Sequence, residues 1–304
     1  MSEIWFFPFE EQFIIWLQSL GLGTVLHAIL FYMNQFFSIL GEETVAVAVM
    51  GFIYWGIDKR KGEKIGASIM LATVMTPYMK NIFKRLRPYQ CSDHIKLLRD
   101  VDGYSFPSGH SSNSGALFSS VAEMFKESKI LQVFGILIPV LVAFSRIYLG
   151  AHWPSDVVVG LAVGFLCCLV ATRMTDLFKN KYTLLVTYAL VTASGFFFCQ
   201  TNDFYNGYGM LLGLITGMYF EEKFVNFEMA DKWYIALVRT FSGSVLYFGI
   251  NAILKSVLTP IFAEMSVGYF ILRTFRYGLN CFILIAVYPM LFRLEKKIFK
   301  KVTG

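Results

Sequence analysis

Apolar stretches of roughly 15 to 25 residues recur along this chain, about the length a helix needs to cross hydrocarbon. They lie near 44–57, 64–83, 130–148, 156–173, 182–199, 207–220, 233–256 and 269–292. The pattern predicts an all-α polytopic membrane helix bundle. One intervening segment, 112–126, is rich in serine (Ser111, Ser112, Ser114, Ser119, Ser120) and escapes a hydropathy reading. It is expected to cross as well, because otherwise the polar motifs on its flanks would fall on opposite sides; polar residues within a bundle line its interior or a cavity. Residues 8–40 are apolar and aromatic but interrupted by Gly21 and Gly23. They read as an interfacial helix plus a short span, or as two interfacial helices.

Composition agrees. Of 304 residues 56% are hydrophobic and only 16% charged, with mean hydropathy +0.56, where soluble domains carry about a quarter charged residues. The N-terminus has no basic region of the kind that opens a cleaved signal peptide. Loops 58–64, 126–129 and 173–181 and the tail 293–301 hold the Lys and Arg residues that alternate along the spans, and these are expected on the cytoplasmic side. Loops 200–206 and 257–268 contain none and belong to the other side. The net charge of +6 follows from this asymmetry and from the polar motifs; no basic stripe with interleaved aromatics points to nucleic acid. Cys167, Cys168, Cys199 and Cys281 read as core residues, and Cys91 lies in an outward loop. No spacing of metal ligands is present and no cofactor is implied.

Three short stretches concentrate the chemistry. In the first, Lys80, Lys84, Arg85, Arg87 and Pro88 end an apolar helix on the cation-poor side. Lys80 and Arg87 are two helical turns apart and are expected on one face, shared by Lys84, with Arg85 angled away as a headgroup anchor. In the second, Pro107, Ser108, Gly109 and His110 open the serine-rich helix. Free backbone N–H groups there form a natural phosphate seat, and His110 has the chemistry of a general acid. In the third, Ser145 and Arg146 precede His152 and Asp156, which are spaced i and i+4. A carboxylate bond to the imidazole is then easy and leaves the other ring nitrogen free to attack. Cations at Lys80, Arg87 and Arg146 can hold phosphoryl oxygens.

Together, Lys80-x6-Arg87-Pro88, Pro107-Ser108-Gly109-His110 and Ser145-Arg146-x5-His152-x3-Asp156 resemble, in order and spacing, the three signature motifs of the type 2 phosphatidic acid phosphatase superfamily. These are membrane lipid phosphatases related to vanadium haloperoxidases. The resemblance covers about residues 40–175. It implies a six-span-like phosphatase core, with about four extra C-terminal spans beyond it. The implied nucleophile is His152, forming a phosphohistidine. Asp156 is implied to orient it and His110 to protonate the leaving group. Lys80, Arg87, Ser108, Gly109 and Arg146 are implied to bind the phosphoryl oxygens, without a metal. Gly41-Glu42-Glu43 and Tyr54-Trp55-Gly56-Ile57-Asp58 look similar to a bacterial branch near sphingosine-phosphate and isoprenoid-diphosphate phosphatases. The organisation expected is then 1–40 as N-terminal helices, 41–176 as phosphatase core and 177–304 as a transmembrane extension. The protein is expected in a bacterial inner membrane with its site facing outward, acting on a lipid phosphate or diphosphate; its oligomeric state stays open. Phosphotransfer to a lipid or sugar acceptor, and non-hydrolytic lipid transport on the same core, are the alternatives.

In the extension, Gly209, Gly213 and Gly217 recur every four residues, which allows close helix packing or dimerisation, packing within one chain being the commoner meaning. Arg239, Arg273 and Arg276 lie within apolar spans. Snorkelling to the interface accounts for Arg239, and contact with a lipid phosphate is the alternative for the other two.

Overall fold

The computed structural model describes residues 7–173 and 180–293. Lys179, the tail beyond 293 and the expected core–extension boundary at 176/177 lie outside them. The described residues form helices joined by loops, with no strand among them. The helices are α1 (Pro8–Ser19), α2 (Val25–Ile39), α3 (Glu43–Phe52), α4 (Lys59–Phe83), the short α5 (Pro88–Cys91), α6 (Gly109–Met124), α7 (Lys129–Tyr148), α8 (Pro154–Thr172), α9 (Lys181–Thr192), α10 (Asn202–Phe220), α11 (Trp233–Leu258) and α12 (Val267–Phe282).

Among the described residues, four helical stretches can cross a membrane by length and composition: Lys129–Tyr148, Pro154–Thr172, Trp233–Leu258 and Val267–Leu291. A fifth span results if α2 and the segment Glu43–Ile57, bent by 52° at their junction, count as one. Helix α4 is as long as these at 25 residues but opens with Lys59, Arg60, Lys61, Glu63 and Lys64 and ends near Lys80, which lowers its hydropathy. Helix α6, at 16 residues, is shorter than these stretches and also rich in serine. Ser111, Ser112, Ser114 and Ser120 are completely buried. That is the arrangement the polar segment required.

Helices α4, α6, α7 and α8 form the central bundle. Contact between α6 and α8 is close because glycine permits it: a Cβ at Gly160 would stand 2.6 Å from the Ser108 carbonyl oxygen. The outer face of α7 stays apolar and open, with Ile130, Ile136 and Val133 all exposed, as a lipid-facing surface is. The glycine stripe of α10 packs within the chain, as expected. A Cβ at Gly209 or Gly213 would overlap the carbonyl oxygens of Thr274 and Gly278 on α12. Helix α10 also lies along α4, so the extension is joined to the core, and α11 covers α3.

Arg239 departs from the snorkelling expectation. It is 1% exposed and donates to the carbonyls of Trp55 (3.0 Å) and Glu228 (2.9 Å), with its guanidinium 4.0 Å from the centre of the Phe292 ring. The π-helical turn Ile53–Ile57 that ends α3's segment leaves Trp55 a carbonyl for this arginine. Arg273 bonds to Asn206 (2.6 Å) and the Tyr269 hydroxyl (2.7 Å). All five cysteines are free.

The basic loops meet at one end of the bundle. Arg60, Lys61, Lys64, Lys126, Arg173 and Lys181 line one cleft there, interleaved with Glu63, Glu123, Glu127 and Glu222. From Lys59 to Lys80 helix α4 rises about 30 Å, so this charged end and the three motifs lie one hydrocarbon thickness apart.

Candidate active site

Helix α4 stops at Phe83 and does not continue to Arg87. Lys84 takes a left-handed conformation (φ 48°) and turns the chain, residues 85–87 are non-helical, and Arg87 is extended (φ −82°, ψ 158°). On extended backbone alternate residues point the same way, so Arg85 and Arg87 both turn inward, each 2% exposed, while Lys84 points out. The expected face shared by Lys80, Lys84 and Arg87 is therefore not formed. Lys80 comes from the last helical turn and Arg87 from the extended segment, and the two still meet at one cavity. Arg85 is not a headgroup anchor: it bonds Asp156 Oδ1 (2.5 Å) and Glu10 Oε2 (2.9 Å) and lies 5.4 Å from the Trp153 ring.

Arg87 is clamped by backbone. Its Nε donates to Gly103 (2.8 Å), and its terminal nitrogens to Asp102 (2.5 Å) and Ala151 (2.8 Å). The nitrogen on Ala151 is also 3.3 Å from His152 Nε2. Arg146, in the last turn of α7, is fully buried, and one nitrogen donates to Ser38 Oγ at 2.6 Å. Its Nε and other terminal nitrogen have no partner among the described residues. Unpaired guanidinium donors in a buried place call for an oxyanion, because leaving them unpaired is costly.

His152 sits in the loop between α7 and α8, 2% exposed. Its Nδ1 is 3.6 Å from Asp156 Oδ2, too far for the direct bond that the i,i+4 spacing suggested. Ser105 bridges the gap. Its hydroxyl donates to Asp156 Oδ2 (2.5 Å) and stands 3.4 Å from His152 Nδ1. This network assigns the proton to Nδ1 and leaves Nε2 with its lone pair facing the cavity. Burial, then the positive charges of Arg87 and Arg146, hold the His152 imidazole well below its ordinary value of 6.5. The ring is therefore neutral and nucleophilic around neutral pH.

His110 lies in the first turn of α6. Gly41 allows the α2–α3 junction to come against it, since a Cβ there would be 3.0 Å from His110 Cβ. Ser108 caps α6, with its Oγ 3.4 Å from the Ser111 N–H. Lys80, Arg87, Gly109, His110, Arg146 and His152 line one cavity of about 490 Å³. Ser108 and Asp156 stand behind its wall, tied to each other by the bond from Ser108 N–H to the Asp156 carbonyl (3.0 Å).

Glu10, Ser38 and Ser105 are not singled out by the sequence, and Arg85 is read there only as a headgroup anchor. Glu10 is fully buried, accepting from Arg85 and from the Ser155 N–H (2.7 Å), and so draws α1 under the site. A carboxylate within an apolar aromatic helix was the available signal for Glu10. For Ser38 and Ser105 there was none, because a single serine has no periodicity. Among the described residues no group of three His, Cys, Asp or Glu side chains could hold a metal ion.

A buried cationic pocket with a neutral histidine, carried by apolar helices, defines a membrane-embedded phosphoryl-handling enzyme, a lipid phosphatase by class. The chain belongs to the PAP2 superfamily: that family's profile matches residues 63–179, and the PAP2 superfamily phosphatase, transmembrane extension, matches residues 205–297. An undecaprenyl-diphosphatase of Sulfolobus acidocaldarius is 31% identical over 160 residues, covering 48% of this chain and 75% of that protein. A lipid A 1-phosphatase of Rhizobium johnstonii is 32% identical over 38% of this chain and 51% of its own length. Phosphatidylglycerophosphatase B of Bacillus subtilis is 32% identical over 35% of this chain and 54% of its own length. The chain thus spans about half the length of the last two relatives. The crystal structure of Aquifex aeolicus LpxE superposes with a TM-score of 0.50 at 24% identity, covering 57% of this chain and 98% of that one, and shares the fold.

Proposed function

We propose that the protein hydrolyses a lipid phosphate or diphosphate monoester through a phosphohistidine on His152, on the extracytoplasmic side of the membrane. The observation that carries this reading is the pair of buried Arg146 nitrogens, unpartnered among the described residues, at the same cavity as His152, whose Nε2 has Arg87 3.3 Å away. A phosphoryl group seated on Arg146, Arg87, Lys80 and the N-terminus of α6 presents its phosphorus to Nε2. Attack forms the N–P bond as the P–O bond to the lipid breaks, and His110 protonates the departing oxygen. The positive charge arising on the imidazole is met through Nδ1–H, Ser105 and Asp156. Water, deprotonated by His110, then attacks phosphorus, and His152 leaves as the neutral base with release of phosphate.

The substrate class follows the relatives, which are named for isoprenoid diphosphate, lipid A and phosphatidylglycerophosphate. Sidedness follows the basic cleft at the far end of the bundle, which the positive-inside rule assigns to the cytoplasm. The test is acid-quenched turnover of a radiolabelled lipid phosphate: an acid-labile phosphoenzyme is expected in His110→Ala and none in His152→Ala. Label persisting in His152→Ala would place the nucleophile elsewhere. Product assayed with and without a lipid or sugar acceptor separates hydrolysis from transfer, and lipid movement surviving in His152→Ala would favour transport.

A further inference from the structure

The cavity does not end at the phosphate seat. On α4 it is lined from Lys80 through Thr76 and Thr73 to Ile69, and on α10 from Asp203 through Asn206 and Met210 to Leu214. Each set spans twelve residues along one helical face, so the space runs about 16 Å inward along both helices. The helices are antiparallel: α4 arrives at the site with Lys80, and α10 departs from it with Asp203. Polarity therefore changes in one direction along the cavity. The cations and histidines stand at its mouth. Thr73, Thr76, Asn113 and Tyr247 follow, with Tyr247 of α11 bonded to Glu43 of α3 across the wall. The inner end is lined by Met50, Ile69, Met210, Leu214, Leu284 and Ile285. Four of these six belong to the extension.

We propose that this chamber holds the hydrocarbon chain of the lipid substrate, and that the extension, by forming its inner wall, sets the chain length the enzyme accepts. The inference rests on the phosphatase reading of the mouth. Three observations select the occupant. The volume, about 490 Å³, is that of a ligand site and far beyond a packing defect. Left empty, a cavity of this size would forfeit the contacts of its lining, the apolar end included. Its polarity order, charged mouth, hydroxyl-bearing middle and apolar end, matches an amphiphile with a phosphoryl group at one terminus, and the apolar end is continuous with the seat for that group. Thr76 lines the cavity, is 3% exposed, and its Oγ1 has no partner among the described residues, which leaves it for a polar group between phosphate and chain.

The experiment compares kcat/KM for a graded series of n-alkyl phosphates and for phenyl phosphate, using full-length protein in detergent. Leu214→Trp and Met210→Trp shorten the chamber, and Leu214→Ala lengthens it. Phe241→Trp, on the exposed face of α11, is the control. With either Trp variant kcat/KM for the long alkyl phosphates should fall at least ~10-fold while phenyl phosphate changes less than ~2-fold. With Leu214→Ala the preferred chain should become longer, which guards against a Trp variant that fails to fold. Equal losses on all substrates, or an unchanged chain-length profile in all three variants, would overturn the proposal; the second outcome would assign the space to a resident bilayer lipid. Failure of the phosphatase reading looks different, since the unsubstituted protein would then hydrolyse neither phenyl phosphate nor any alkyl phosphate.

Discussion

Arg85 donates to Asp156 Oδ1 at 2.5 Å while its other terminal nitrogen holds Glu10 Oε2 at 2.9 Å, so one guanidinium spans two buried carboxylates from opposite ends of the core. Asp156 also accepts from the Trp153 N–H (2.8 Å) and from Ser105. With its lone pairs occupied in this way, Asp156 has one setting, and through Ser105 it gives His152 one setting as well.

Removing Arg85 should therefore be severe. Arg85→Met leaves Glu10 and Asp156 buried without a counter-charge, which costs about 3–5 kcal/mol for a broken buried pair. Adding Glu10→Gln should restore part of that loss. Thermal unfolding in detergent measures both. A single variant as stable as the unsubstituted protein would show that the pairing carries no weight.

Ser105→Ala interrupts the path from His152 to Asp156 without touching either. A fall in kcat of about 10- to 100-fold is expected, with KM little changed, as for loss of a group that orients a reacting ligand. Ser105→Thr keeps the hydroxyl and should recover most of it. Equal defects in both variants would mean that Ser105 matters only for packing.

The pH profile should report the environment of His152. Its imidazole is held below 6.5, so the neutral base persists as pH falls through 6.5, and the acid limb it governs lies lower than that. Arg87→Gln removes one of the charges that depress it. The residual activity of that variant should lose its acid limb at higher pH than the unsubstituted enzyme. A limb that stays or moves lower would assign it to another group.

Charge at the site is supplied by Lys80, Arg87 and Arg146. Hydrolysis should survive EDTA, and vanadate should inhibit competitively as a mimic of pentacoordinate phosphorus. Activity lost to EDTA and restored by Mg²⁺ would show that side-chain cations are not sufficient.

Sidedness can be read by cysteine labelling in a Cys91→Ser background. Arg60→Cys, in the basic cleft, should resist an impermeant thiol reagent in intact cells, and Asp203→Cys, at the mouth of the chamber, should react. The reverse pattern would turn the protein over in the membrane.

Much of this protein is already set by local sequence. Runs of apolar residues specify helices and a membrane whatever packs against them, because hydrocarbon leaves the backbone no other way to satisfy its hydrogen bonds. The spacing within each motif brought Lys80, Arg87, Gly109, His110, Arg146 and His152 forward as candidates, and these meet at one cavity. What lay beyond reach was everything decided between segments distant in the chain. The left-handed turn at Lys84 is stabilised by what Arg85 and Arg87 find on the far side, among them carbonyls 15 to 16 and 64 residues away. Ser105 stands between His152 and Asp156 only because residues 47 and 51 apart are brought together by the fold. Glu10 lies 75 residues from Arg85, and four of the six residues at the inner end of the chamber come from helices that contribute nothing to the motifs. Periodicity records which face of a helix is buried; it carries no record of the partner buried against it, and here the partners decide how each charge is held.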